Sequence, residues 1–159
     1  MKHRLILFAL LLTSYSFATL GKISVGERIH FKKEATENVG IHFFTGTWQE
    51  ALEKARSENK MIFLDAYASW CGPCKWMART TFQDESVGTY FNEYFINVKM
   101  DMEKDPEGAR LSKKYKLTAY PTLYFLKANE EVVSQTMGAY KVRPLLKYAK
   151  EVVRLKTTN

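Results

Sequence analysis

The two cysteines of this 159-residue chain lie close together, in the hexapeptide Trp70-Cys71-Gly72-Pro73-Cys74-Lys75. Two cysteines cannot complete the tetrahedral shell of a structural zinc ion, and the three histidines are distant and lack paired ligand spacing. The alternative is an inert structural disulfide. Because so short a loop constrains the unfolded chain very little, such a bridge would add little stability. The spacing therefore predicts a redox-active pair and no metal site.

The position of the pair at the start of a helix gives the two thiols different expected roles. The unpaired N–H groups and the positive dipole end of a helix N-terminus favour a thiolate, the form that attacks disulfides. We expect Cys71, at the helix start, to be the attacking thiolate and the one that a partner can reach. Cys74 lies one turn later on the same face and is expected to resolve the mixed disulfide. Gly72 and Pro73 keep the loop tight, because proline is tolerated in the first turn of a helix.

Two apolar segments on either side of the motif have the pattern of buried strands. Residues 61–66 form a nearly continuous apolar run with one acid, Asp65, which predicts a buried central strand. The tetrapeptide Ala119-Tyr120-Pro121-Thr122 leads into a second apolar segment at 123–126. A strand, a short turn, Cys-x-x-Cys and a helix form the arrangement expected for a thioredoxin-like redox site.

On these motifs the chain resembles the thioredoxin superfamily over roughly residues 41–153. The cysteine hexapeptide matches the active-site signature of that superfamily, and the segment 120–122 matches its cis-proline loop. The resemblance implies that Asp65 is the buried acid of the family, that Lys99 lies near this acid in the following strand, and that Gly138 follows the last strand. It also implies an α/β thioredoxin-like fold, with a central mixed β-sheet flanked by helices on both faces.

A closer similarity is to the C-terminal domain of DsbD-type transmembrane disulfide reductases and to small secreted thioredoxins of that pattern. It rests on the segments 65–71, 74–77 and 81–87. The chain departs from many members at two positions of the expected substrate groove. Tyr67 stands where they carry tryptophan, and Tyr120 stands before the proline where they usually carry isoleucine. These departures concern the choice of partner rather than the chemistry.

Roles for residues other than the cysteines follow from the resemblance and from the cost of burial. A buried carboxylate has a raised pKa, which would suit Asp65 as the proton acceptor for Cys74; the alternative is a purely structural pair with Lys99. A cis bond before Pro121 would turn the backbone of Tyr120 towards the cysteines, where an extended substrate segment can pair with it. Either substrate contact or plain packing would account for Trp70 and Tyr67. The implied substrate-binding residues are Trp70, Gly72, Pro73, Tyr120 and Pro121.

The N-terminus has the pattern of a secretory signal peptide at residues 1–18. A basic start is followed by the apolar segment 5–12 and by Ser16-Phe17-Ala18, with small residues at the two positions that determine cleavage. The alternative is an uncleaved anchor, which would be the one route to membrane attachment. The pattern predicts an exported protein, periplasmic or extracellular. Because such compartments are oxidising, a reductant there would need an upstream electron donor, for which a membrane reductase is the natural candidate.

The rest of the chain predicts an N-terminal arm at 19–40 and a thioredoxin-like domain at 41–159. We expect a first strand at 41–44, helices that begin at Thr47, Asp84 and Asp105, a hairpin at 122–137 and a terminal helix opened by Pro144. The net charge of +7 comes from bases that are scattered and interleaved with acids, as in segment 54–58. No concentrated basic patch or known module predicts nucleic-acid binding.

The predicted function is that of an exported thiol–disulfide oxidoreductase that reduces or exchanges disulfides in protein partners. No cofactor is required, because the cysteines themselves carry the electrons. Two alternatives remain at this stage: a dithiol oxidase or isomerase that works in the opposite direction, and a non-catalytic thioredoxin-fold binding or chaperone module. The Gly-Pro pair between the cysteines and the resemblance to reductases favour reduction.

Overall fold

The computed structural model describes residues 39–158. The predicted signal peptide at 1–18 and nearly all of the arm at 19–40 lie outside these residues, so both stay predictions. No helix in the described part of the chain is long and apolar enough to cross a membrane. The elements are α1 Trp48–Ser57, β1 Met61–Tyr67, α2 Gly72–Arg79, a 3-10 helix Thr81–Gln83, α3 Glu85–Tyr94, β2 Phe95–Asp101, α4 Pro106–Lys114, β3 Thr122–Leu126, β4 Val132–Met137 and α5 Val142–Thr158.

The four strands form one mixed sheet in the order β2-β1-β3-β4. The central strand β1 pairs in parallel with β2, which places Asp65 beside Lys99. On its other side β1 pairs antiparallel with β3, and β3 and β4 form the predicted antiparallel hairpin. The cysteine helix α2 begins five residues after β1 ends, so the dithiol is attached directly to the end of the central strand.

Helices cover both faces of the sheet, as the resemblance implies. Because successive strand side chains point to opposite faces, Ile62, Leu64 and Ala66 pack with α1 and α4, whereas Met61 and Phe63 pack with α2, α3 and α5. The strand is thus buried on both sides, which explains why its sequence is apolar throughout instead of alternating. The predicted α/β fold is confirmed.

Three of the four helix starts predicted from a capping residue or a proline are confirmed. Thr47 and Glu50 form a reciprocal capping box, and Asp84 and Asp105 accept N–H groups of the first turns of α3 and α4. The prediction that Pro144 opens the terminal helix is wrong by two residues, since α5 begins at Val142. A proline is tolerated at this third position, because the first N–H groups of a helix have no intrahelical acceptor.

The predicted first strand at 41–44 is also wrong, since one isolated bridge between Phe43 and Asn97 takes its place. Side-chain amides make hydrogen bonds here that a strand would make with a neighbouring backbone. The Asn92 side chain accepts the His42 N–H at 2.8 Å and donates to the Gly40 carbonyl at 3.1 Å. Asn97 donates its amide to the His42 carbonyl at 3.4 Å. The segment therefore satisfies its backbone polar groups without forming a regular ladder.

Glu130 joins α1, α4 and the turn of the hairpin. Its carboxylate accepts the indole N–H of Trp48 at 2.5 Å and pairs with Arg110 at 2.5 Å and with Lys114. Burial opposes ionisation of Glu130, but the hydrogen bonds from Arg110, Lys114 and Trp48 outweigh it and lower the pKa of the carboxyl to about 2. At neutral pH, this network of charged groups therefore links α1 and α4 to the hairpin of the sheet.

Candidate active site

The side chain of Cys71 caps helix α2. Its sulfur accepts the backbone N–H of Cys74 at 3.1 Å, and the two sulfurs are joined in a disulfide with an S–S distance of 2.06 Å. Gly72 and Pro73 occupy the first turn, where proline needs no hydrogen bond. After reduction, the same N–H group and the helix dipole would stabilise negative charge on the Cys71 sulfur.

Exposure does not distinguish the two cysteines, contrary to the expectation that Cys71 is the accessible one. Both residues are only 2% exposed in the disulfide form. They form a small apolar cluster with Ala68, against which the rings of Tyr67 and Tyr120 pack. These rings shield the sulfurs, which sequence spacing could not reveal. The asymmetry between the cysteines thus rests on the helix cap and not on solvent contact.

Asp65 lies in the core and is only half paired. One carboxylate oxygen, Oδ2, is 2.5 Å from Lys99 Nζ, whereas Oδ1 has no hydrogen-bond partner within residues 39–158. The residue is 1% exposed, and burial raises the pKa of its carboxyl although the charge of Lys99 opposes that shift. The structure therefore contains the predicted ion pair and also leaves one oxygen available to take up a proton.

Lys99 reaches the acid from the neighbouring strand and keeps contact with solvent. Its side chain is 27% exposed, and Nζ lies 4.0 Å from the centre of the Tyr67 ring. The ammonium group is thus held between a carboxylate and the face of an aromatic ring, and both contacts fix its position. Tyr67 thereby gains a specific contact that the sequence did not indicate.

The loop before β3 has the predicted cis bond between Tyr120 and Pro121. Thr122 Oγ1 donates to the Ala119 carbonyl at 2.8 Å, and the Pro121 carbonyl accepts the N–H of Gly138 at 2.8 Å. Gly138 has a φ of 92°, a left-handed conformation that favours glycine. These bonds hold Tyr120 against the cysteine cluster, next to the disulfide.

A contact that the sequence did not indicate joins Trp70, Tyr120 and Glu103. The Trp70 ring is 66% exposed and meets the Tyr120 ring edge-on, with centroids 5.7 Å apart. Its indole N–H donates to Glu103 Oε2 at 2.8 Å. Because an exposed tryptophan is otherwise free to change rotamer, these two contacts give the indole a defined position beside the disulfide.

Asp101 positions this group by joining the loops before α2 and after β2. Its carboxylate accepts the backbone N–H groups of Ser69, Glu103 and Lys104 at 3.1, 3.1 and 3.2 Å. Burial opposes ionisation of Asp101, but these three donors outweigh it and lower the pKa of the carboxyl. An aspartate at the end of a strand is a turn signal that could have identified it in the sequence.

The candidate site thus consists of two groups of side chains. The first contains the disulfide with the residues that border it, Tyr120 and Trp70, whereas Gly72 and Pro73 lie exposed in the first turn of α2. The second contains the buried pair of Asp65 and Lys99 on adjacent strands. Within residues 39–158, no group of three or more His, Cys, Asp or Glu side chains could hold a metal ion.

A helix that starts at one half of a Cys-x-x-Cys disulfide, set at the end of a central strand in this sheet order, is typical of thioredoxin-like thiol–disulfide oxidoreductases, and the chain is an enzyme of this class. The family Thioredox_DsbH, described as "Protein of unknown function, DUF255", matches residues 29–142. The chain belongs to this family.

Relatives agree with the assignment. Thioredoxin H4 of Arabidopsis thaliana is 34% identical over 108 residues, which are 68% of this chain and 84% of that protein. Human Spermatogenesis-associated protein 20 is 46% identical over 59 residues, which cover 37% of this chain but only 8% of the relative. The chain therefore spans a small part of that larger protein.

Solved structures show the same fold. A Bacteroides thetaiotaomicron protein, named as a proposed disulphide-isomerase, is 45% identical with a TM-score of 0.64 and covers 72% of this chain and 93% of its own. The oxidised C-terminal domain of Neisseria meningitidis DsbD has a TM-score of 0.56 at 24% identity, over 70% of this chain and 98% of that one. The second comparison supports the fold alone.

We expect Asp65→Asn to stabilise the oxidised protein, by more at pH 8 than at pH 4. Burial places the folded-state pKa of Asp65 above the unfolded value of about 3.9, so the folded protein holds this proton more tightly. The free energy of unfolding of the wild type therefore decreases as the pH rises from the unfolded-state pKa of Asp65 to its folded-state pKa. The variant has no carboxyl group at this position, so its stability does not decrease for this reason. A gain of about 1 kcal/mol or more at pH 8 is expected from urea unfolding, since Lys99 remains partly solvated.

The matched control is Asp84→Asn, because hydrogen bonds from the Ser86 side chain and the first-turn N–H groups of α3 lower the pKa of Asp84. Its substitution should therefore cost stability at pH 8 and less at pH 4, the opposite pH dependence. An Asp65→Asn advantage that is equal at both pH values, or larger at pH 4, would contradict the raised pKa.

We also expect Glu103→Ala to weaken the binding of protein substrates without changing the reactivity of the thiols. Loss of the hydrogen bond to Trp70 releases the indole, so KM for a reducible protein disulfide should rise about three- to tenfold. The rate with the small neutral substrate hydroxyethyl disulfide should not change. Glu103→Gln keeps an acceptor oxygen and should restore most of the KM. Equal effects on both substrates would show that Glu103 acts only through general stability.

Proposed function

We propose that this protein is an exported thiol–disulfide oxidoreductase that reduces or exchanges disulfide bonds in protein partners through Cys71 and Cys74. The observation that carries the proposal is the capping of α2 by the Cys71 sulfur, which accepts the Cys74 N–H at 3.1 Å. This contact favours negative charge on Cys71 in the reduced enzyme and makes it the nucleophile. The thioredoxin and disulphide-isomerase names of two relatives support the reaction class.

The first step joins the reduced enzyme to its partner. The Cys71 thiolate attacks one sulfur of the partner disulfide, the S–S bond of the partner breaks, and its second sulfur leaves as a thiolate. The product is a mixed disulfide between Cys71 and the partner. The backbone of Tyr120 at the cis-proline loop would pair with the extended partner segment, and Trp70, Gly72 and Pro73 would border it.

The second step releases the partner. The Cys74 thiol loses its proton and attacks the Cys71 sulfur, which expels the partner thiolate and closes the disulfide seen in the structure. Asp65 is the candidate acceptor of that proton, because it has an unpaired oxygen and a raised pKa. Two electrons pass from the enzyme to the partner, and a dithiol donor must return them before the next cycle.

The compartment and the electron donor form part of the proposal. The signal-peptide pattern at residues 1–18 supports export to a periplasmic or extracellular space, where an enzyme that reduces disulfides needs a supply of electrons. A membrane reductase that presents a dithiol on the outer side would meet this need. Membrane attachment of this chain itself would follow only if the signal segment were retained.

A second candidate function, oxidation or isomerisation of protein disulfides, is favoured by the name of the 45% identical relative. The reduction potential of the Cys71–Cys74 couple separates the two directions. We expect a value near −270 mV, as in thioredoxin, measured by equilibration with glutathione or dithiothreitol redox buffers. A value of about −180 to −120 mV, the range of protein disulfide isomerase and DsbA, would instead support the second candidate.

Substitution of each cysteine tests the assigned roles. We expect Cys71→Ser to abolish the reduction of insulin disulfides, because no thiolate remains at the helix start. Cys74→Ser should complete one attack but no turnover, and should accumulate a mixed disulfide that is visible on a non-reducing gel. In the reduced wild type, iodoacetamide should modify Cys71 before Cys74, as shown by peptide mapping.

Preferential modification of Cys74 would reverse the assignment. Full activity of Cys71→Ser would indicate a non-catalytic binding or chaperone module instead. The same Cys74→Ser protein, expressed from the whole sequence, tests export, since cleavage after Ala18 predicts a mature chain that begins at Thr19. Recovery of the uncleaved chain in the cytoplasmic fraction would contradict the proposed compartment.

A further inference from the structure

An open pocket of about 450 Å³ lies between the end of α2 and the start of α5. Trp76 and Thr80 form the α2 side, and Val142 and Pro144 form the α5 side. Trp76 is 37% exposed, so part of its large apolar surface remains in contact with solvent. We call this site the basic pocket, because Lys141 and Arg143 also line it.

Hydrogen bonds hold the two sides of the basic pocket together. Thr81 Oγ1 donates to the Tyr140 carbonyl at 2.7 Å, and the Tyr140 N–H points to the sulfur of Met77 at 3.4 Å. Both bonds join the end of the cysteine helix to the residues just before α5. Because these bonds fix the two sides of the pocket relative to each other, binding would require little ordering.

The chain segments that contribute the lining of the basic pocket carry basic residues and no acidic ones. The segments 72–83 and 138–150 contain no acidic residue, which departs from the interleaved charges expected from the sequence. They contain six basic residues, Lys75, Arg79, Lys141, Arg143, Lys147 and Lys150. Such a concentration of one sign favours an anionic partner.

Several cations elsewhere on the surface are paired with carboxylates. Lys54 and Lys60 share Glu58, and Lys127 pairs with Glu131. By contrast, within residues 39–158 neither Lys141 nor Arg143 forms an ion pair with a carboxylate. Lys75 and Arg79, which are exposed on α2, also have no such partner there. These positive charges are available to a partner from outside.

We propose that the basic pocket binds an acidic segment of the protein whose disulfide is exchanged at Cys71. One apolar side chain of the segment fills the pocket beside Trp76, and flanking carboxylates pair with Lys141 and Arg143. The inference rests on the proposed function for the identity of the partner as a disulfide-bearing protein. It adds the chemical character of the partner and a second contact surface beyond the cis-proline loop.

The distance between the disulfide and the basic pocket suits one continuous segment. Trp76 and Thr80 follow Cys71 by five and nine residues, which correspond to about 8 and 14 Å along the helix axis. An extended chain covers about 3.3 Å per residue. An apolar residue three or four positions from the partner cysteine would therefore reach the pocket while that cysteine meets Cys71.

A protein segment fits this surface better than an anionic membrane does. Membrane surfaces are bound by apolar side chains that protrude into the lipid, surrounded by basic residues. Here the apolar side chains line a concave site instead of protruding from the surface. The membrane is therefore the competing partner that the experiment must separate.

The test uses two synthetic peptides that differ only in charge. Each has one cysteine in a mixed disulfide with thionitrobenzoate, three Gly/Ser spacer residues and a leucine, flanked by glutamates in one peptide and by lysines in the other. Attack by the reduced full-length enzyme releases the coloured thiolate in a single turnover. We expect the glutamate peptide to react about tenfold faster at low salt, and high salt to remove the difference.

Charge reversal of the pocket should invert this preference. The double variant Lys141→Glu with Arg143→Glu should react faster with the lysine peptide, whereas Lys113→Glu with Lys116→Glu, the same charge change at the end of α4, should keep the wild-type order. Equal rates for both peptides with the wild type, or an unchanged preference in the pocket variant, would overturn the proposal. The single variant Trp76→Ala should slow the reaction with both peptides, because it removes the apolar wall of the pocket. Unchanged rates would exclude the pocket as a binding site.

Hydroxyethyl disulfide separates this inference from the proposed function. Its reaction with the wild type and with each variant should be the same, because it is neutral and too small to reach the pocket. Failure of the wild type to reduce it would contradict the proposed function rather than the docking site. Binding of the wild type, but not of the pocket variant, to phosphatidylglycerol vesicles, without a peptide preference, would replace the protein segment by a membrane.

Discussion

Burial of β1 on both faces is the constraint on which the rest of the structure depends. The strand lies between β2 and β3 and under helices on each side, so every position from Met61 to Ala66 must be satisfied without solvent. Asp65 is the exception in this strand, and the parallel register with β2 supplies Lys99 directly beside it. The same strand ends five residues before α2, which fixes the cysteine helix to the buried centre of the sheet.

The elements that could be predicted are those coded by local chemistry. Capping residues at Thr47, Asp84 and Asp105 marked three helix starts, and the strand-like segments Thr122–Leu126 and Val132–Met137 marked the hairpin. Each of these signals acts within a few residues of the chain. The resemblance supplied the cis bond before Pro121 and the pairing of Asp65 with Lys99, which no local pattern contains.

The failures came from contacts between distant segments. The strand at 41–44 was lost because amide side chains on α3 and β2 bind its backbone. The burial of Cys71 depends on rings that enter from β1 and from the loop before β3. Glu103 was missed for the same reason, since its partner Trp70 lies 33 positions away and Asp101 brings them together. A single sequence reveals helix caps and apolar runs, but it does not reveal which distant residues come into contact.

The reactive groups and the residues that border the disulfide lie on different kinds of structural element, and this affects how such a protein can evolve. The atoms that transfer electrons and protons lie on a central strand and on the helix that follows it. The rings that border the disulfide, from Trp70 and Tyr120, lie on the connecting loops and depend on single contacts such as the one with Glu103. A lineage could therefore exchange its loop residues one at a time and acquire new clients, while the inherited electron-transfer core stays intact.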